Sequence, residues 1–313
     1  MNTAIRAMGR SLRRSWTEGT RTERTAFVVG GVLFASGLAH VLVLLATGGP
    51  WTGPTSLRKA ATFGLSFGMT LASVVWATHF VRAGAVARRV LLTGFTIACV
   101  LETLLVSMQA WRGVPSHFNF QTPFDAAVAG MLAFGGLLIV VLVLGFTVAA
   151  FRGAGENSPS MRLAVRYGFV VLAAAMGIGA AMIAIGVPMS RADPRAAFET
   201  AGFLKPAHAV TMHAILVLPG LAWLLTFTSW AEPVRLRIVQ LGVAGYTVLS
   251  AVVIAESIVQ VSPLEAPLVP GLLSLAGLIA LVAAGAITGY GALYRRNVDS
   301  RRQFPTSVHE SVT

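Results

Sequence analysis

Residues 125–151 read DAAVAGMLAFGGLLIVVLVLGFTVAAF. No ionisable side chain follows Asp125 in this run. Coiled as a helix, the run is long enough to cross about 30 Å of hydrocarbon. Seven further apolar runs accompany it, at 27–47, 60–81, 90–110, 167–187, 207–230, 238–261 and 267–293. In lipid only helices and closed barrels satisfy their own backbone, and these runs are too long and too uniform for barrel strands. The expected fold class is an all-α integral membrane protein with eight transmembrane helices. The chain is 55% hydrophobic and only 12% charged, against about 25% charged for a soluble domain. Few residues are left over to build a separate soluble domain.

The expected organisation is a basic segment at 1–26, a membrane domain at 27–293 and a disordered polar tail at 294–313. The first segment repeats apolar residues at helical spacing (Ile5, Met8, Leu12, Trp16) among arginines, which suits a helix lying on an anionic membrane surface. Its charged stretch and the span after it are both longer than in a cleavable signal peptide, and no A-x-A site follows.

The net charge of +12 invites a nucleic-acid reading, but its distribution argues against one. Of the 24 Lys and Arg, 18 fall in segments that eight crossings put on the side of the N-terminus, and 6 on the other. Positively charged loops stay inside, so both termini are expected to be cytoplasmic (N-in, C-in) in a bacterial inner membrane. The expected partners are the bilayer and anionic lipid at its cytoplasmic face, with no nucleic acid. One cysteine, Cys99, excludes an internal disulfide or a cysteine-based metal site.

Small residues at i, i+4 (Gly64 and Gly68, Gly285 and Gly289) predict close helix contacts. Eight spans also divide into two sets of four. The third helix of each set carries a similar scrap, ETLL from Glu102 and ESIV from Glu256, the pattern a duplicated four-helix half would leave.

Ionisable groups within a membrane are costly and mark candidate sites. By the expected topology most of them lie in the outer half. His40 is in span one. Glu102 and Gln109, seven apart, share a face of span three. His208 and His213 lie near the outer start of span six, and Glu256 near the outer end of span seven. His79 alone lies toward the inner end of span two. Arg58 and Lys59 oppose the charge bias and follow a Thr55 or Ser56 helix cap, where the helix dipole repels cations unless an anion is near. The connection QAWRGVPSHFNFQTPFD, 109–125, is unusually polar. Thr122, Pro123 and Asp125 read as the start signal of span four. Gly113 and Pro115 read as turn formers. Arg112, Ser116, His117 and Asn119 are left for another role.

The expectation is an outward-facing pocket of His40, Arg58, Lys59, Glu102, Gln109, Arg112, His117, Asn119, His208 and His213. Imidazoles with a carboxylate can ligate iron, copper or zinc, so His40, Glu102, His117 and His213 are the candidate metal ligands. His40 and His213, at similar depth on two helices, are the candidate pair for a haem. Five residues separate His208 from His213, too far around a regular helix to share one metal. No HExxH pair, Walker A loop or CxxCH occurs. Span six contains Pro219-Gly220, where a break is expected.

The segments WTGPTSLRKAATFGLSFG (51–68), RGVPSHFNFQTPFD (112–125) and KPAHAVTMHAILVLPGLAW (205–223) resemble a group of bacterial multi-span membrane proteins. Their shared pattern is E…Q..RG..SHFN..TP.D followed by a paired-His helix ending in LP. The resemblance covers roughly 27–230, and it implies the fold without supplying an activity. Leu216 stands where members of that group often carry Gln. Three functional expectations follow. The first is binding of a metal, haem or small polar ligand, with redox or hydrolytic chemistry. The second is transport of a small polar or anionic solute, and the third is a scaffold or sensor.

Overall fold

The computed structural model describes residues 3–152, 157–190 and 201–302. All regular structure among them is helical. A short helix α1 (Thr3–Thr17) precedes α2 (Arg21–Thr47) and α3 (Leu57–Ala77), which ends in a 3₁₀ turn, Thr78–Phe80. Then come α4 (Ala85–Trp111), α5 (Pro123–Arg152), α6 (Pro159–Ser190), a 3₁₀ turn Ala201–Leu204, α7 (Lys205–Met212), α8 (Ala214–Leu225), α9 (Glu232–Ile258) and α10 (Leu268–Arg302). Eight stretches are long and apolar enough to cross a membrane, with α7 and α8 joined as Gly202–Leu225. The start of α2 marks one end of the bundle, the near end. The start of α3 marks the opposite, far end.

The first span starts at Arg21, six residues before the expected 27, because Thr20 and Glu23 form a capping box. The Thr20 hydroxyl accepts from the Glu23 amide at 3.3 Å, and the Glu23 carboxylate accepts from the Thr20 amide at 2.7 Å. These bonds satisfy helix-end groups that otherwise need water. Glu23 is only 2% exposed. Its second oxygen accepts from Arg88 of α4 at 3.2 Å, so the start of one helix is pinned to the start of another. At the opposite terminus α10 continues to Arg302, past the expected end at 293, and 303–313 lie outside the described residues.

Two helix pairs approach closely. On α3, a Cβ at Gly64 would lie 2.6 Å from the Gly37 nitrogen of α2, and one at Gly68 would lie 2.5 Å from the Phe34 nitrogen. The expected contact at Gly64 and Gly68 is therefore present. Gly285 and Gly289 instead face open space, and it is Gly277 that meets Gly245 of α9. They lie eight and twelve residues beyond Gly277, about 80–120° around the helix. The i, i+4 spacing shows that two small residues share a face without showing which face is covered.

The core lies between α4, α5, α6 and α8. Phe146 stacks on Phe169 at 5.9 Å and meets Phe95 edge-on at 6.0 Å, with Leu92, Ile215 and Leu218 around them. α10 is the least covered span: Leu272, Leu275, Ile279 and Val282 are exposed, as suits a face toward lipid tails. α1 docks through Ser11, whose hydroxyl accepts from the Trp223 indole at 3.1 Å, and leaves Ile5, Leu12 and Trp16 exposed.

The sixth span is interrupted, but at His213, six residues before Pro219. The helix continues through Pro219. Proline weakens the bond to the residue four before it, Ile215, and the chain divides just upstream of that point. Carbonyls released at the break are taken by side chains. His213 Nδ1 donates to the Ala209 carbonyl at 2.7 Å and the Tyr246 hydroxyl of α9 to that of Val210 at 2.5 Å.

Candidate functional site

The polar connection between α4 and α5 sits at the far end. α4 stops in a Schellman turn. The Val114 amide donates to the Gln109 carbonyl and the Gly113 amide to that of Ala110, both at 3.1 Å, with Gly113 at φ 68°. α5 starts with Thr122 accepting from the Asp125 amide at 3.1 Å and donating back to its carboxylate at 2.7 Å, as expected from the sequence. The same carboxylate accepts from Gln109 Nε2 at 3.0 Å and from Arg112 Nη1 at 2.6 Å. Arg112 also donates to Gln109 Oε1 and lies 4.7 Å over the Phe124 ring. Gln109, Arg112, Thr122 and Asp125 thus form a clasp that ties the two ends of the loop together. Two of the expected pocket residues, Gln109 and Arg112, serve this closure.

Inside the clasp the loop turns inward. Phe118 adopts φ 62°, a left-handed conformation that a bulky residue avoids by roughly 1–2 kcal/mol. Its ring packs on Met182, Ile183 and Val187 of α6 and lies against Gly186, where a Cβ would meet it at 2.3 Å. This anchor was not read from the sequence. The available signal was one aromatic between His117 and Asn119 in an otherwise polar loop.

The anchor carries its neighbours into the bundle. Ser116 and Asn119 are buried. Asn119 Oδ1 accepts from the Gln121 amide at 3.2 Å, while its Nδ2 is buried without a partner among the described residues. His117 Nδ1 lies 3.2 Å from Lys59 Nζ and 3.1 Å from the Ser116 hydroxyl. An ammonium only donates, so Nδ1 accepts and the imidazole is neutral. Burial, reinforced by the Lys59 ammonium, holds His117 well below the usual imidazole range. Phe63 stands 5.9 Å from the same ring.

Lys59 is also in electrostatic reach of Glu102 and of Lys205, which in turn senses Arg58. Glu102 is 4% exposed, and its carboxylate lies on α5 where a Cβ at Gly135 would come within 2.5 Å of Oε1. That oxygen has no hydrogen-bond partner among the described residues. Glu256 of α9 is equally buried, and neither of its oxygens has a partner there.

The other expected site residues go elsewhere. His40 donates from Nδ1 to the Ser36 carbonyl at 2.7 Å and accepts at Nε2 from the Trp111 indole at 3.0 Å. His208 donates to the Ala175 carbonyl at 2.8 Å and lies against Gly179. His213 holds the break. The expected metal set of His40, Glu102, His117 and His213 is not assembled. Among the described residues no three His, Cys, Asp or Glu side chains are placed to hold a metal ion. The physical reason is local: His40 has no lone pair left for iron or any other metal, and His213 is turned to its own helix. The ten expected residues therefore separate into a clasp, a Lys59–Glu102–His117 cluster bordered by Arg58 and Asn119, and three histidines bonded to backbone; Lys205, outside the expected set, also borders the cluster.

Gly64-Leu65-Ser66-Phe67-Gly68 also spells a nucleophile-elbow pattern. The elbow requires a strand-to-helix turn. Here the pentapeptide lies within α3, with both glycines against α2.

Comparison with protein-family models, curated proteins and solved structures finds no match. The resemblance carried by the SHFN block thus rests on those residues alone. Fold and span lengths define the class, a polytopic helical protein of membrane type.

Proposed function

We propose that the protein resides in a bacterial cytoplasmic membrane with both termini inside, and binds a small polar ligand at the Lys59–Glu102–His117 cluster. The orientation is supported by the concentration of arginines at the near end. The observation that carries the ligand reading is the Glu102 carboxylate, buried in electrostatic reach of Lys59 with Oε1 lacking a donor among the described residues. A buried acceptor without a donor costs roughly 1–3 kcal/mol, and a ligand that supplies the donor recovers it. The fitting chemistry is a small acid that also carries a hydroxyl or amino group. Its donor meets Glu102, and its acidic group lies against Lys59 and Lys205. Haem and metal chemistry, redox or hydrolytic, would require His40 and His213 to give up their present bonds.

The test is thermal unfolding of the purified protein with glycine, lactate and succinate. A rise in Tm with one of them, absent in Glu102→Gln, supports the site. No rise with any of them, together with stoichiometric metal or a Soret band in the purified protein, would overturn it. A transport reading is favoured by one observation, the capped break of the sixth span at His213. Its check is flux of the stabilising solute into proteoliposomes, lost in Tyr246→Phe.

A further inference from the structure

The far end carries a second buried acid that the proposed ligand site does not use. Glu256 lies in the last turn of α9, and neither of its oxygens has a hydrogen-bond partner among the described residues. It enters no ion pair among them either. Ser257 beside it is equally buried, and its hydroxyl oxygen is also without a partner there. Elsewhere in the bundle such hydroxyls donate to the carbonyl four residues back, as those of Ser73, Thr96, Thr147 and Thr211 do. Ser257 keeps its oxygen free of that bond.

The surroundings favour a cation. A helix C-terminus carries partial negative charge, so a carboxylate in the last turn is repelled unless a positive charge is near. The last turn of α9 holds no basic residue. From 238 to 294 the chain contains no Lys, Arg or His, and its two acids there are Glu256 and Glu265. α7 packs on α9 and brings Lys205, which forms no hydrogen bond with Glu256. A protonated carboxyl would need an acceptor for its own hydroxyl, and none is in place among the described residues. Ile258, Val259 and Gln260, which follow at once, are exposed, so the end of α9 opens to the far-side surface. Donors that are all oxygen suit a hard cation, and one carboxylate balances one positive charge.

We propose that the last turn of α9 binds a monovalent alkali cation, with the Glu256 carboxylate as its counter-charge and the Ser257 hydroxyl as a neutral ligand. Water from the far side completes the shell. The site stands apart from the Lys59–Glu102–His117 cluster and does not rest on that reading. Its chemistry is the reverse: the cluster gathers cations around one acid and takes an acidic ligand, whereas the end of α9 offers acid and hydroxyl with no basic side chain of its own.

The experiment is thermal unfolding of the purified full-length protein in sodium, potassium or choline chloride at one ionic strength. One or both alkali ions are expected to raise Tm above its value in choline, saturably with concentration. The rise should vanish in Glu256→Gln, which keeps the shape of the side chain and removes its charge. Ser257→Ala, a milder change, should raise the ion concentration for half-maximal stabilisation by roughly two- to tenfold through loss of one neutral ligand. Glu102→Gln should keep the ion effect in full, which separates this site from the ligand cluster. Stabilisation by calcium chloride alone, lost in Glu256→Gln, would keep the site and overturn the monovalent ion as its occupant. Equal melting of the native protein in all of these salts, or an alkali-ion effect undiminished in Glu256→Gln, would overturn the site.

Discussion

The indole nitrogen of Trp111 donates to Nε2 of His40 at 3.0 Å, across 71 residues of sequence. With Nδ1 bonded to the Ser36 carbonyl, the imidazole is fixed in one tautomer and ties the end of α4 to α2. Trp111→Phe is therefore expected to lower stability by about 0.5–1.5 kcal/mol, and His40→Ala by more. Neither should alter the metal content of the protein or its absorption in the visible and Soret regions. Denaturant unfolding in detergent measures the first effect, and absorption spectra with elemental analysis measure the second.

His117 ties stability to pH. Its folded-state pKa is depressed, so the unfolded chain binds the extra proton first. The stabilising contribution is complete above the ordinary imidazole value of about 6.5 and is lost as pH falls below it. Between about pH 7.5 and 5.5 the Tm of the native protein should fall more steeply than that of His117→Gln, which carries no such proton. Parallel slopes would remove His117 as the titrating group.

The Phe118 anchor predicts a non-additive pair. Gly186→Ala places a methyl against the Phe118 ring and should cost about 1–3 kcal/mol. In a Phe118→Ala background the same change should be nearly neutral, because the colliding ring is gone. Phe118→Gly should be less harmful than Phe118→Ala by up to about 1 kcal/mol, since glycine accepts the left-handed backbone. A double-mutant cycle on unfolding free energies measures all three.

Glycine pairs of the same spacing should behave oppositely. Gly64→Ala forces a carbon toward the backbone of α2 and should destabilise by about 1–3 kcal/mol. Gly285→Ala meets open space and should be neutral, or stabilising by about 0.5–1 kcal/mol through helix propensity. Unfolding of the two variants side by side checks the assignment of covered and uncovered faces.

The eight spans were legible because each is a predominantly apolar run of bilayer length, a property of composition that needs no partner. The start of α5 was legible for a similar reason: Thr122, Pro123 and Asp125 act within one helical turn. The start of α2 was equally local, yet Thr20 and Glu23 were obscured by the arginines between and beside them. The clasp was half legible. Its cap could be read, whereas Arg112 and Gln109 reach Asp125 only once the loop has closed. The pairing of His40 with Trp111, the inward turn of Phe118 and the site of the break depend on which surfaces meet. A single sequence does not record that. Hence the outer polar residues were read as one pocket, and fold into three arrangements.

The bond between Glu23 and Arg88 has a consequence for how the chain is made. The two residues are 65 positions apart. At synthesis rates of about 5–20 residues per second, the carboxylate leaves the ribosome roughly 3–13 s before its guanidinium. Until α4 follows, Glu23 has Thr20 and water as its partners. A nascent chain truncated before Arg88 is therefore expected to leave the start of the first helix open to proteases, and one extended through α4 to close it.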